Sequence, residues 1–162
     1  MPANTNTSTA QNKTAVETHE AVSLTADLCR VFEGFRPLPY LCPAGVPTIG
    51  YGSTRYPDGS LVRLGDSGVT RSMAEVYLRD ELTRLVPWVL ALCPTLSSNR
   101  LAAILDFAYN LGIGRLRAST LRKRINAGDW DRARIEIRKW NKGGGKILPG
   151  LVKRRAAESA LM

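Results

Sequence analysis

Histidine and cysteine are scarce in this 162-residue chain, with one of the first and three of the second. His19 stands alone. Cys29, Cys42 and Cys93 are odd in number and show no CxxC spacing, which excludes a disulfide framework and leaves no ligand set for a structural zinc. No metal and no cofactor are expected. Long apolar runs are missing too: nothing approaches the roughly 18 residues of a membrane span. The first 21 residues, rich in Asn, Thr, Ser, Ala and Gln, lack the apolar core of a secretory signal. This predicts synthesis in, and initial residence in, the cytoplasm, where disulfides are disfavoured. What remains is ordinary for one globular domain with a real core, at 44% apolar and 23% charged residues.

Acidic residues are few in one region only. Between Arg115 and Arg155, 14 Lys/Arg face three acids, Asp129, Asp131 and Glu136, a local excess of 11. The rest of the chain carries nine basic and 11 acidic residues. The overall charge of +9 therefore belongs to the C-terminal part, whose field attracts a polyanion: nucleic acid, anionic lipid or an acidic wall polymer. A solvated helix face is the plainer reading of the same residues.

Along the chain, residues 1–22 read as a flexible polar tail and 23–162 as the folded domain. Ser23 is placed to cap a short helix from Leu24 to Glu33, ended by Gly34. Pro37, Pro39, Pro43 and Pro47 exclude a helix until about Val46. The glycine-punctuated segment beyond them, with Asp58-Gly59 as a hairpin turn, predicts a small antiparallel sheet over about Val46 to Leu64. From Thr70 the pattern is helical. Ser72 to Glu75 matches a capping box, and Met73, Val76, Tyr77, Leu82 and Leu85 supply an apolar face. Pro87 and Pro94 break or kink the chain after that face. A strong helix spans Ser98 to Leu111. After a Gly112–Gly114 turn come basic helices at Thr120–Asn126 and Asp129–Lys139, a glycine loop at 143–145, and a last helix from Leu151 to Leu161. The fold class is α+β, mostly α: a small β-lobe over about 34–68 and a helical lobe over about 70–162. Trp88, Trp130 and Trp140 are spaced as packing anchors.

Glu33 is oddly placed, although a surface Glu paired with Arg36 is the plainer reading of it. It stands between Phe32 and Phe35 at a helix C-terminus, and both apolar neighbours and the negative helix end favour the protonated acid that proton donation requires. Eight residues separate it from Cys42, and five separate Cys42 from Thr48. The segment Glu33-Gly34-Phe35-Arg36, then Tyr40, Cys42 and Thr48-Ile49-Gly50-Tyr51-Gly52, resembles the phage-type lysozymes (glycoside hydrolase family 24), the endolysins of tailed phages. Their catalytic set is a Glu, then an Asp or Cys, then a Thr, at these gaps. Phe107 to Gly114 looks like that family's turn between lobes. Ser119-Thr120-Leu121 and Asn126 to Trp130 look like its next helix and turn. Trp140, the glycine run and Leu148-Pro149-Gly150-Leu151 with Arg154-Arg155 look like its C-terminal signature. The similarity covers about Leu24 to Leu161.

The resemblance implies a lysozyme-like two-lobed fold and hydrolysis of the β-1,4 bond between N-acetylmuramic acid and N-acetylglucosamine in peptidoglycan. It implies that Glu33 protonates the leaving oxygen while a group on the opposite face supports the developing oxocarbenium ion. That group, an Asp in many relatives, is here Cys42, a thiol with an ordinary pKa of about 8.5. Two roles are open to it: attack on C1, or help in polarising a water held by Thr48. A Cys42–Cys29 disulfide is the redox alternative. The family position of Asn110 binds sugar, and a helix C-cap is its structural alternative. Tyr40 and Gly50 are further cleft candidates, and Arg154 or Arg155 a partner for Glu33. Peptidoglycan is the implied partner, with anionic envelope components as a second attraction. Neither nucleic-acid binding nor stable membrane insertion is expected, and the chain reads as a monomer. Release from the cytoplasm to the wall then requires a holin-type pore. The competing readings are a lytic transglycosylase and a basic nucleic-acid- or membrane-binding protein.

Overall fold

The computed structural model describes residues 5–162, with side chains from Thr14 onward. Thr5–Glu33 form a single helix, α1. The expected tail is thereby corrected over 5–22, and Ser23 lies inside the helix rather than at its cap; residues 1–4 lie outside the described residues. Between Ala3 and Gly34 there is neither Gly nor Pro, so nothing halts helix propagation once Ala21, Ala26 and Cys29 are buried. Thr25 ties this helix to its neighbour by donating to the Ala102 carbonyl at 3.2 Å.

Beyond Gly34 the chain forms β1 (Arg36–Leu41), antiparallel to β2 (Pro47–Gly50), in the register Arg36↔Gly50, Tyr40↔Thr48 and Leu41↔Pro47 with a bulge between Arg36 and Tyr40. Regular pairing thus starts earlier than expected and stops at Gly50; isolated bridges at Ile49–Ser53 and Arg55–Leu61 carry the chain around Asp58-Gly59. Pro37 and Pro39 have no N–H to give a ladder, which suits β1 to its place at an edge. The Pro37 carbonyl instead accepts from Val69 at 2.8 Å.

Helix α2 (Arg71–Leu92) is capped by Thr70, whose side chain accepts from the Met73 amide. The Ser72–Glu75 capping box is therefore not formed; Glu75 pairs with Arg30 and Arg79. The buried face is Ala74, Leu78, Leu82, Val86 and Val89, one step round from the expected one, and Met73 and Val76 are exposed. Pro87 sits within the helix without ending it.

Helix α3 (Ser98–Leu111) has the expected bounds and is the centre of the molecule: every residue from Leu101 to Ala108 is buried. Helices α1, α2 and the C-terminal helix surround it. Gly112, at φ +90°, ends α3 and opens α4 (Ile113–Ala118), a helix read from sequence as turn. Then come α5 (Thr120–Asn126), α6 (Trp130–Arg138), a short hairpin of β3 (Lys142–Gly143) and β4 (Lys146–Ile147) at the glycine run, and α7 (Pro149–Ala160). Pro149 suits the first turn of α7, where its missing N–H costs nothing. Trp140 packs edge-on against Phe107 at 5.4 Å and Trp130 lies under Arg100, both as anchors, whereas Trp88 is 59% exposed and anchors nothing.

Candidate active site

Glu33 is the last residue of α1 because Gly34, at φ +69°, turns the chain out of the helix. Its half-buried carboxylate meets the Arg154 guanidinium at 2.5 Å. Gly52 lies against it at φ +96°: a Cβ there would stand 3.4 Å from Glu33 Cγ and 3.2 Å from the Tyr109 hydroxyl. Tyr109 in turn donates to the Tyr51 carbonyl at 3.0 Å. Glycine is required at 52 on two counts, backbone conformation and close approach of the acid.

The β1–β2 pairing sets Tyr40 opposite Thr48 and leaves Cys42 just past the strand end. Cys42 and Thr48 share one anchor: the Cys42 amide and the buried Thr48 hydroxyl both donate to the Val46 carbonyl, at 3.0 and 2.9 Å. Burial pushes the Cys42 thiol up, but hydrogen bonds from the backbone at Val46 and Ala44 lead the causes that outweigh it, and the thiol is held below its ordinary value. Tyr40 is pushed up by burial and by the negative charge of Glu33, with the Arg36 guanidinium, 4.4 Å from its ring, opposing and Cys42 adding to the rise. The Tyr40 phenol therefore stands within the field of both Glu33 and Cys42.

Of the residues named from sequence, Glu33 and Arg154 meet directly, Cys42 and Thr48 share the Val46 carbonyl, and Tyr40 feels the charge of both Glu33 and Cys42. Two are engaged elsewhere. Gly50 is buried, and its missing Cβ accommodates α2, since a Cβ would fall 2.8 Å from that of Ala74. Asn110 lies within α3 and caps nothing, the cap being Gly112; its Oδ1 accepts from Arg155 at 2.8 Å. Cys29 and Cys93 are buried and all three thiols are free. Among the described residues no group of three or more His, Cys, Asp or Glu could hold a metal ion.

Behind Glu33 lies a buried charge cluster with two members that sequence reasoning missed, Asp106 and Glu158. Arg154 donates to both oxygens of Asp106 at 2.8 Å while also holding Glu33. Arg155 meets Glu158 at 3.0 Å and stacks over Phe107. Burial opposes ionisation of Asp106, but the Arg154 bonds and charge prevail and hold its carboxyl low. Burial and the hydrogen bond to Asp106 drive Glu158 the other way, well above the usual carboxylate range. The two buried acids are thus driven in opposite directions, Asp106 toward the anion and Glu158 toward the neutral form. The available signal was Asp106 itself, a lone acid inside the run Leu101 to Ala108.

Thiol reactivity gives a direct check. Alkylation of the native protein by iodoacetamide at pH 8 is expected to modify Cys42 alone and faster than an unperturbed thiol. Cys29 is pushed well up by burial, and Cys93 is pushed up by burial to about 11. Peptide mapping reads the site; equal labelling of Cys93 would refute the assignment of Cys42 as the activated thiol.

A half-buried carboxylate at the end of α1, and a thiol held low and a fixed hydroxyl on the short hairpin that follows, are groups of the kind that acid-assisted cleavage of a bond with a poor leaving group needs. Comparison with known proteins agrees. Residues 30–158 match the family model described as phage lysozyme. The chain is 38% identical over 143 residues to an endolysin of Acyrthosiphon pisum secondary endosymbiont phage 1, covering 83% of this chain and 91% of the relative. An endolysin of Bacillus phage B103 is 39% identical over 141 residues, 83% of this chain; the chain spans about half, 51%, of that relative's length. Among solved structures, the muramidase domain of SpmX from Asticaccaulis excentricus superposes with a TM-score of 0.72 at 30% identity, over 85% of this chain and 92% of that one. The chain belongs to the phage lysozyme family. It is a glycoside hydrolase, a muramidase that degrades peptidoglycan.

Proposed function

We propose that Glu33 is the general acid, that Thr48 holds the attacking water, and that Cys42 receives its proton. In this reaction Glu33 gives its proton to the glycosidic oxygen as the C1–O bond breaks, because a sugar alkoxide is a poor leaving group. Water on the opposite face bonds to C1 and loses a proton to the Cys42 thiolate. The observation that carries the reading is the shared Val46 carbonyl: it takes the Thr48 hydroxyl proton and leaves the oxygen lone pairs to orient a water beside the thiol. Arg154 holds Glu33 in place while it also meets Asp106 through two bonds. Tyr40 is the first sugar-binding candidate, and Asn110, whose Oδ1 is held by Arg155, is the second. Gly50 acts through the backbone, by letting β2 lie against α2.

The basic C-terminal region has a use in the same reading. Seven exposed cations, Arg115, Arg117, Lys123, Arg138, Lys142, Lys146 and Lys153, have no ion pair among the described residues. They attract anionic stem peptides and envelope phosphates and slow escape from the wall. The protein works as a monomer. It is made in the host cytoplasm and reaches the periplasmic wall by holin-type release. Nothing favours a nucleic-acid-binding or membrane-disrupting protein.

One experiment checks these roles. Purified peptidoglycan is digested at low and high ionic strength and the fragments are read by mass spectrometry. Reducing muramic ends are expected, with clearing several-fold slower at about 0.3 M than at about 0.03 M salt. A 1,6-anhydro end would identify a transglycosylase, a glycosyl adduct on Cys42 would make the thiol the nucleophile, and a salt-independent rate would remove the basic surface from the mechanism.

A further inference from the structure

The helical lobe carries a cavity of about 570 Å³ that none of Glu33, Tyr40, Cys42, Thr48 and Arg154 lines. Pro94 and Thr95 border it from the connection between α2 and α3, Arg100 from α3, Ile125 and Asn126 from α5, and Trp130 from α6. The size is that of a small-ligand site.

Arg100 is the charged group of this cavity, and it is held still. Its guanidinium stacks 3.8 Å over the Trp130 ring, and its Nε donates to the Met162 carbonyl at 3.2 Å. Its two terminal nitrogens have no acceptor, and its charge no ion pair, among the described residues. The acid beside Trp130 in sequence does not compete for it. Asp129 accepts from the Arg132 amide at 3.3 Å and meets the Arg132 and Arg124 guanidinium groups at 3.2 and 3.6 Å. Asn126 gives its amide nitrogen to the Leu92 carbonyl at 2.9 Å, which leaves its Oδ1 to accept. Pro94 and the buried Ile125 add an apolar wall, and Thr95 an exposed hydroxyl.

A fixed planar fork beside one amide acceptor and a small apolar wall matches the end of a peptide. A carboxylate takes two parallel bonds from a guanidinium. A phosphate dianion would leave one charge without a counter-charge. A sugar ring would lack an aromatic plate, because the guanidinium already covers the Trp130 ring.

We propose that this cavity binds the free carboxyl end of a peptidoglycan stem peptide, with Arg100 on the carboxylate, Asn126 on the last peptide N–H and the terminal methyl group against Pro94 and Ile125. It anchors the enzyme to the wall away from the bond being cut. It rests on the muramidase reading for the identity of the peptide, not for the chemistry of the site.

The test is calorimetric titration of the full chain with diacetyl-L-Lys-D-Ala-D-Ala. Saturable binding is expected with a Kd of about 0.1–1 mM. The same peptide ending in a carboxamide is expected to bind at least about tenfold more weakly, because the fork has lost its anion. Arg100→Gln is expected to weaken binding about tenfold, and Arg100→Lys to restore part of it, since a point charge replaces the fork. Thr95→Glu, at an exposed loop position where the core is untouched, sets a like charge beside the carboxylate and is also expected to weaken binding about tenfold. Absence of saturation up to about 10 mM, equal affinity for acid and carboxamide, or wild-type affinity in both Arg100→Gln and Thr95→Glu would overturn the site. Equal affinity for the peptide ending in L-Ala-L-Ala would overturn its assignment to the wall. A wild type that cleaves no peptidoglycan would overturn the muramidase reading, while the titration, which needs no turnover, still judges the cavity.

Discussion

Glu33→Gln is expected to lower peptidoglycan clearing by about 10³-fold, within the 10²–10⁴ that a positioned general acid supplies. Gln cannot give up a proton to the departing oxygen, yet its carbonyl still accepts from Arg154, so the arrangement around Gly52 and Tyr109 is retained. Thermal unfolding and near-ultraviolet circular dichroism are expected to match wild type closely, which separates lost chemistry from lost fold. Residual clearing above about a tenth of wild type would contradict the role of Glu33. The same variant discriminates between mechanisms of killing. A cationic protein that disrupts membranes depends on its basic surface, and would lyse cells as fast with Gln at 33 as with Glu. Turbidity loss of purified walls, which contain no bilayer, reads only the glycosidase.

Glu33, Cys42 and Thr48 were singled out by the spacing they share with the family, and their placement was legible from local chain breaks. Gly34 stops α1 just after the acid, and the four prolines before Thr48 allow only an extended segment, so the three functional groups fall on one helix end and one hairpin. The extent of α3 was equally plain, since its apolar run between Ser98 and Gly112 is uninterrupted except for Asp106. Other features were hidden for definite reasons. The first part of α1 is polar and carries no apolar period, and the helix is tied to the body further along by contacts with residues some 80 positions away, such as Thr25 with Ala102. The phase of α2 was misjudged by one step because Met73 and Val76 look like core residues yet face outward. Gly50 was read as a possible sugar contact, but only the packed structure reveals Ala74 behind it. The Asp106–Arg154–Glu158 cluster joins α3 to α7, and no local pattern announces a contact across that separation. Glu158 comes after Arg154 and Arg155 like any helix-surface ion pair, and burial alone gives it a different protonation state.

Asp106→Asn is the substitution expected to damage stability most. It removes the carboxylate that meets Arg154 with two bonds and leaves a guanidinium whose side chain is 3% exposed without its principal counter-charge. Breaking a buried pair in this way costs about 3–5 kcal/mol, which for a chain of this length lowers Tm by roughly 10 °C. Urea denaturation followed at 222 nm checks the figure, and a loss below about 1 kcal/mol would mean that Glu33 and Glu158 compensate for Asp106. The pH dependence carries two opposite signs. Asp106 is held low in the folded state, so its contribution is present above the ordinary carboxylate range and is lost as pH falls through its folded value. Glu158 is held high, so the folded protein binds the extra proton, and this contribution is complete below the unfolded carboxylate value and is lost as pH rises through the folded one. Glu158→Gln fixes the neutral form and keeps a donor toward Asp106. It is therefore expected to be nearly neutral around pH 6 and to flatten the alkaline loss of stability, while leaving the acid limb, which belongs to Asp106, where it was. A Glu158→Gln protein as unstable as Asp106→Asn at every pH would mean that Glu158 is a true anion paired with Arg155, and that the proton assigned to it lies elsewhere.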